Sequence, residues 1–254
     1  MNDLVSIIMP CFNTGKYIAG SIRSVLSQTY INWELLIVDD LSTDNTNEII
    51  LSFNDVRIRY FKNDINRGAA FSRNKALSES RGRWIAFLDS DDLWVSDKLE
   101  KQIYFMEINN YVFSYTNYTE INEDSEPLKI LISGPKRITK FGMHNYCWPG
   151  CLTVMYDVRV VGLIQIENIE KNNDYAMWLK VCMKANCYLL NEELAMYRRR
   201  NGSISNHNYV SLIKWHYKLY RLVEKQNIFL SIVSTFRNLG FGAWKKIKYV
   251  KKYR

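Results

Sequence analysis

Nowhere do these 254 residues contain a run of about eighteen uncharged apolar positions, which argues against a helix that spans a bilayer. The start, Met1-Asn2-Asp3-Leu4, has no basic region and no apolar signal core, so the chain is expected to stay in the cytoplasm. Cysteines number only five, an odd count, and without an export signal they are expected to be reduced. Cys147 and Cys151, and Cys182 and Cys187, lack the tight spacing of most zinc knuckles, so buried or inert thiols are expected. Acid is nearly missing from the end of the chain. From Tyr197 to Arg254 there are 14 Lys and Arg against one acid, Glu224, while the whole chain carries +8. That segment therefore holds +13 and the first 196 residues about −5, a signal about partners rather than fold. Internal repeats and low-complexity tracts are absent as well.

What is present suits a globular protein. At 47% hydrophobic the chain can bury a sizeable core, and its length fits one large domain or one domain with an appendage. The first hundred residues alternate strand and helix patterns. Buried strands are expected at Leu4–Met9, ended by Pro10, then at Trp33–Val38, Val56–Phe61 and Trp84–Leu88. Helical spacing falls between them, at 15–28, after the Ser42–Asp44 caps, and at 68–80. Such alternation predicts an α/β fold, a mostly parallel sheet flanked by helices. Further on, a helix is expected at 97–108, a strand at 111–118, a mobile excursion at 120–142 and a strand at 151–156. A helix is expected at 174–185, an extended stretch at 188–197, and helices at 210–225 and 228–237. The predicted organisation is a domain over 1–205, with halves 1–105 and 106–205, followed by a helical basic appendage over 206–254.

In open sheets of this kind ligands bind outside the carboxyl ends of the strands. Each early strand here ends in polar or special residues: Pro10-Cys11-Phe12-Asn13, Asp39-Asp40, Asn63 to Gly68, and Asp89-Ser90-Asp91-Asp92. The last places three carboxylates in four positions. Close like charges repel, and a hard divalent cation with oxygen ligands makes such a cluster useful. A solvated acidic turn capping the next helix is the plain alternative.

Several motifs fall in order: Val5 to Asn13, Ser24-Val25-Leu26-Ser27-Gln28-Thr29-Tyr30, Trp33 to Asp40, Ser42-Thr43-Asp44, Asn66-Arg67-Gly68, Ser72-Arg73-Asn74 and Phe87 to Asp92. Together they resemble the family 2 glycosyltransferases, which have the GT-A nucleotide-sugar-binding fold, related to the Rossmann fold. The resemblance is dense over about 4–105 and continues more weakly through Gly150 to Asp157, Asn173 to Leu179 and Tyr197-Arg198. It is nearest to short bacterial enzymes that build O-antigen, capsule or related surface polysaccharides.

The resemblance implies roles for individual residues. Pro10, Phe12 and Asn13 would lie at the nucleotide, with Asp40 accepting from the base imide N–H and Asp39 supporting that loop. Asn66, Gly68, Arg73 and Arg198 would face the donor. Asp91 and Asp92 would hold the ribose and a magnesium- or manganese-bound diphosphate, with Asp89 supporting them. Asp174 matches the second acid of the family's Glu-Asp pair and would be the catalytic base. Three departures stand out. The usual glycine after the Asp-Asp pair is Leu41, so that turn is expected to differ or to use negative φ. The Glu of the Glu-Asp pair is Asn173. The Gln-x-x-Arg-Trp motif of processive synthases is missing after Tyr197, which implies a single-addition enzyme.

The expected reaction moves a hexose, from UDP-glucose, UDP-galactose or a related UDP-sugar, onto a polyprenyl-diphosphate-linked saccharide. One base and direct displacement imply inversion at the anomeric carbon. The segment Arg198 to Ser205, followed by His207, reads as either a solvated loop or a basic lip over the diphosphate. His144, beside Asn145 and Tyr146, reads as an acceptor contact or an ordinary polar surface residue, and His216 as an ordinary polar surface residue. Cations and aromatics interleave from Trp244 to Arg254, which suits the anionic inner face of a membrane and implies peripheral association there. Nucleic acid is not expected as a partner. A basic nucleic-acid-binding protein and a nucleotidyltransferase are the alternatives, but the acidic strand ends repel nucleic-acid phosphate, and Cys11 to Lys16 is a poor glycine-rich loop.

Overall fold

In the computed structural model, which describes residues 3–200 and 209–253, the first strand is Val5–Cys11 (β1), every residue of it buried. Its alternate side chains feed two cores. Val5, Ile7, Met9 and Cys11 join one, and Ile8 joins the other, as the two-residue period of a strand dictates. Contrary to expectation, Pro10 does not end the strand. The Ile8 carbonyl accepts from Leu88 N–H, so Ile8 faces the fourth strand, and Pro10, two residues on, faces the same way. That neighbour has already ended at Phe87, paired to Ile8, so the missing proline N–H leaves no partner unsatisfied.

Trp33–Asp39 (β2), Ile58–Lys62 (β3) and Trp84–Phe87 (β4) complete the early strands. Ile18–Leu26 (α1), Thr46–Leu51 (α2) and Ala69–Glu79 (α3) are the helices between them. The four strands are parallel in the order β3-β2-β1-β4, each polar exit on one edge. Leu93–Trp94 (β5), Lys98–Ile108 (α4) and Phe113–Ile121 (β6) follow.

The expected excursion at 120–142 is instead built structure. It holds the end of β6, Pro127–Ile132 (β7), Arg137–Ile138 (β8) and the start of Lys140–Asn145 (α5). Turn residues there mark hairpins: Asn122 Oδ1 accepts from the N–H groups of Asp124 and Glu126 at 3.0 and 2.9 Å. The expected strand at 151–156 is a 3-10 turn at Cys151–Thr153 followed by Met155–Asp157 (β9). Val158–Val161 (α6), Asn173–Cys182 (α7) and Cys187–Arg198 (β10) complete the second half. Here pairing is mixed: β9 is antiparallel to β4 and β6, while β10 runs parallel to β6.

At the end of the chain, Tyr209–Lys218 (α8) runs into a π turn at Leu219–Val223. Ile228–Lys248 (α9), expected to end near Arg237, continues eleven residues further. Asn227 caps it, its side chain accepting from Leu230 N–H at 2.9 Å. Val250–Lys252 (β11) then pairs antiparallel with β7, Val250 opposite Ile132. The basic end of the chain is therefore folded onto the sheet edge, with Tyr253 N–H also donating to the Lys129 carbonyl at 2.9 Å. No helix among the described residues is long and apolar enough to cross a membrane.

Candidate active site

The carboxyl ends of β1 and β2 are tied together by their loops. Asn13, at φ 50°, donates its N–H to Ser42 Oγ at 2.9 Å, and its side-chain oxygen accepts from Thr43 N–H at 2.8 Å. Asn13 is thus a strap between loops. Phe12 beside it is 45% exposed, while Pro10 is buried beneath. Asp39 is fully buried and accepts from Ser42 N–H and Oγ at 2.8 and 2.5 Å and from Tyr60 OH at 3.0 Å. Its support of this turn is visible in those bonds.

Asp40 holds the next loop. Its carboxylate accepts from Asn63 Nδ2 at 2.8 Å, Arg67 N–H at 3.0 Å and Gly68 N–H at 2.6 Å. A carboxylate has about four acceptor directions, and these bonds use three of them. Gly68 has φ +85° at the start of α3, a conformation that favours glycine. Asn66 lies exposed in the same loop.

Leu41 corrects the expected turn. It has φ +67°, so the left-handed conformation is kept with leucine in glycine's place. Such a residue costs roughly 1–2 kcal/mol, and glycine gives back roughly 0.5–1 kcal/mol in chain entropy. Leu41 is 36% exposed, so its packing contributes little. Leu41→Gly is expected to raise stability by about 0.5–1 kcal/mol, read as a higher urea midpoint. A lower midpoint would show that the leucine side chain contributes more than the strain costs.

At the end of β4 the three acids have different surroundings. Asp89 pairs with Arg73, Nη2 to Oδ1 at 2.5 Å. Asp91 pairs with Arg200, Nε to Oδ2 at 2.8 Å. Asp92 is 1% exposed and accepts from Arg198 N–H at 2.8 Å. Burial pushes the Asp92 carboxyl well above its ordinary range, and the charges of Asp91 and Asp89 push it the same way. Asp91 is also raised by burial, with Arg200 pulling against it.

Arg198 is spent elsewhere. Its guanidinium donates to the carbonyls of Asp91, Asn122 and Glu123 at 2.7, 3.0 and 3.1 Å, and to Ser125 Oγ at 2.9 Å. It clamps the β6–β7 hairpin against the acidic turn. Arg200 was legible only as part of a basic segment; three consecutive arginines opposite an acidic strand end are the signal that marks it. The rest of that segment, from Asn201 to Ser205, lies outside the described residues, as do His207 and Arg254.

Asp174 joins this edge from α7, which shares a core with α3, the helix of Arg73. Arg73 is 7% exposed and extends Nη1 to Asn173 Oδ1 at 2.9 Å, besides its bond to Asp89. One guanidinium thus ties the β4 exit to the first turn of α7, one hundred residues away in the chain. Asp174 follows Asn173, with Oδ1 accepting from Tyr175 N–H at 2.8 Å. Burial raises its pKa above the usual carboxylate range, and the Arg73 charge opposes the rise. The departure at Asn173 now has a physical sense: an amide oxygen accepts from Arg73 without adding a third negative charge. Arg73 Nε is buried without a partner.

His144 sits in the last turn of α5, its ring nitrogens against Arg237 Nη2 at 2.5 Å and Gln226 Nε2 at 2.7 Å. All five cysteines are unpaired, and four of them are buried. Among the described residues no three His, Cys, Asp or Glu side chains are placed to hold a metal by themselves.

A protein-family model for glycosyl transferase family 2 matches residues 6–154. The chain is 42% identical over 246 residues to the putative teichuronic acid biosynthesis glycosyltransferase TuaG of Bacillus subtilis (strain 168), covering 96% of this chain and 97% of that one. It is 43% identical over 215 residues, 84% of each chain, to an Escherichia coli protein, UDP-Glc:alpha-D-GlcNAc-diphosphoundecaprenol beta-1,3-glucosyltransferase WfgD. In fold it matches the crystal structure of S. aureus TarS 1-349 in complex with UDP-GlcNAc, with a TM-score of 0.74 and 20% identity, over 93% of this chain and 73% of that one. The acidic exit of β4, the Asp39-Asp40 turn and the Arg73 bridge to α7 therefore lie on a GT-A frame, and the chain belongs to glycosyl transferase family 2 as a glycosyltransferase.

Proposed function

We propose that this enzyme transfers a hexose from a UDP-sugar, UDP-glucose before UDP-galactose, to a saccharide carried on a polyprenyl diphosphate, with inversion at the anomeric carbon. The observation that carries this reading is the position of Asp174, held beside the Arg73–Asp89 pair at the strand edge where donors bind. The names of the relatives TuaG and WfgD support a surface-polysaccharide setting, and that of WfgD supports the donor and the lipid-linked acceptor.

The residues take distinct parts. Phe12 and Asp40 face the nucleotide, on a platform held by Asn13 and Asp39. Asp174 takes the proton of the acceptor hydroxyl as its oxygen bonds to the anomeric carbon. The bond from that carbon to the diphosphate oxygen breaks, and its electron pair leaves with UDP. Arg73 holds Asp89 and, through Asn173, the first turn of α7 in register. Arg198 and Arg200 keep the acidic turn closed.

Asp91 and Asp92 fit a divalent magnesium or manganese ion by their chemistry. They are hard oxygen donors, and burial raises both carboxyls, helped by the charge of Asp89 at Asp91 and by those of Asp91 and Asp89 at Asp92, which a nearby cation would relieve. Among the described residues no third His, Cys, Asp or Glu side chain joins them, so these two carboxylates would be the ion's side-chain ligands. Such an ion neutralises charge growing on the departing diphosphate. Action on a lipid-linked acceptor places the enzyme peripherally at the inner membrane face.

A screen of UDP-sugars against synthetic polyprenyl-diphosphate saccharides, read by mass spectrometry, tests this. Addition of one hexose, lost with EDTA and regained with manganese, is expected. Transfer that EDTA leaves untouched would remove the ion, and no transfer from any UDP-sugar would remove the donor.

A further inference from the structure

Over its first half, α9 is turned inside out. The residues it buries there are Ser231, Ser234, Thr235 and Asn238. Those it exposes include Phe229 at 73%, Ile232 at 43%, Val233 at 45% and Phe236 at 62%. The same face continues through Gly240, Ala243, Trp244 and Ile247, all exposed. At 3.6 residues per turn these positions form one stripe, about 30 Å long at about 1.5 Å per residue. An ordinary surface helix turns its apolar stripe inward.

The inverted rotation is held by hydrogen bonds. Asn238 Nδ2 donates to Tyr175 OH at 3.2 Å and to Tyr220 OH at 3.3 Å. Ser234 Oγ donates to Gln226 Oε1 at 3.0 Å, and Thr235 Oγ1 to the Ser231 carbonyl at 2.7 Å. Further along, Lys245 Nζ donates to the Trp148 carbonyl at 2.9 Å. Rotating the helix to bury its apolar face would break the bonds of Asn238, Ser234 and Lys245, while the Thr235 bond, internal to α9, satisfies a hydroxyl buried by this rotation.

Exposed cations flank the stripe on α9, at Arg237, Lys246 and Lys248, and Lys214 on α8 and Lys225 ahead of α9 are exposed as well. The one acid after Tyr197 is Glu224. A second copy of this chain would set like charge against like. An anionic bilayer accepts both the stripe and the cations.

We propose that this face of α9 is a membrane-docking surface, with Phe229, Ile232, Val233, Phe236, Trp244 and Ile247 entering the headgroup–acyl boundary of an anionic membrane. The flanking cations then lie at headgroup phosphates. Insertion belongs to α9, because the basic end of the chain is committed to the sheet through β11. Tyr175, next to Asp174, hangs from the opposite side of the same helix through Asn238. Docking therefore sets the proposed base just beneath the membrane surface, at the level of a lipid-linked sugar. That consequence rests on the acceptor proposed above; the docking itself does not.

Co-sedimentation with vesicles of phosphatidylglycerol and phosphatidylcholine tests the surface. Phe229→Ser/Ile232→Ser/Phe236→Ser is expected to weaken vesicle binding by about tenfold or more, with unchanged turnover on a short-chain, water-soluble acceptor. Phe229→Leu/Phe236→Leu is expected to bind like wild type. Wild-type binding should fall on vesicles of phosphatidylcholine alone. Two results would overturn the proposal. One is a triple variant that pellets like wild type. The other is a wild type that sediments as a dimer without vesicles and becomes monomeric in the triple variant, which would make the stripe a protein interface. An error in the acceptor reading appears separately, as intact vesicle binding with no transfer to any lipid diphosphate.

Discussion

Asp174→Asn is expected to lower turnover by about 10²–10⁴-fold, the usual contribution of a positioned general base, and to leave donor affinity nearly unchanged. The amide keeps the shape of the side chain and an oxygen for the Tyr175 N–H, so α7 keeps its first turn. What is lost is the ability to take a proton. In the wild type the acid limb of the pH–rate profile should lie above the ordinary carboxylate range, because burial raises the Asp174 pKa more than Arg73 lowers it. The sign follows from the role: a base works ionised, so activity falls as pH drops through that raised pKa. Isothermal titration of UDP-sugar and a pH series of kcat read both parts. Wild-type-like turnover in the variant would take Asp174 out of the mechanism. An acid limb at or below the ordinary carboxylate value, about 3.9, would take away its burial argument.

Arg73→Gln is expected to cost about 3–5 kcal/mol of stability, as when one partner of a buried ion pair is removed. Arg73 is 7% exposed and is the named partner of Asp89 at one end and Asn173 at the other. Its loss leaves Asp89 without its cation and removes the positive charge that holds Asp174 down. Two readouts separate a structural loss from a positioning role. The urea midpoint should recover in part in Arg73→Gln/Asp89→Asn, where the orphaned carboxylate is gone as well. The acid limb of kcat should move further up in Arg73→Gln, since burial then acts on Asp174 against backbone N–H bonds alone, without the Arg73 charge. A single variant within about 1 kcal/mol of wild type would show that the pair behaves as an exposed salt bridge.

Both predictions concern residues that the sequence marks singly and the fold brings together. The β1 to β4 alternation, the polar strand ends and the acidic run are readable because each depends on neighbours within a few positions. A strand's period, a glycine turn and a cluster of like charges are local facts. The second half is less readable. Residues 120–142 carry turn signals, and only pairing of β7 with β6 and β11 makes strands of them. The end of α9 and β11 look like a free basic segment until Lys245 meets Trp148 and Val250 meets Ile132.

By itself the sequence determined the parallel βα half and the family, and it marked the edge that carries the candidate site, since short-range patterning and motif order carry all three. Only the tertiary structure decided who partners whom. Arg73 and Arg198, expected to face the donor, proved also to be clamps, because a guanidinium's partners depend on what lies within about 3 Å, at any distance in the chain. The inward polar face of α9 was likewise a tertiary outcome. Its period is plain in the sequence, but which side faces out was set by hydrogen bonds to Tyr175, Tyr220 and Trp148.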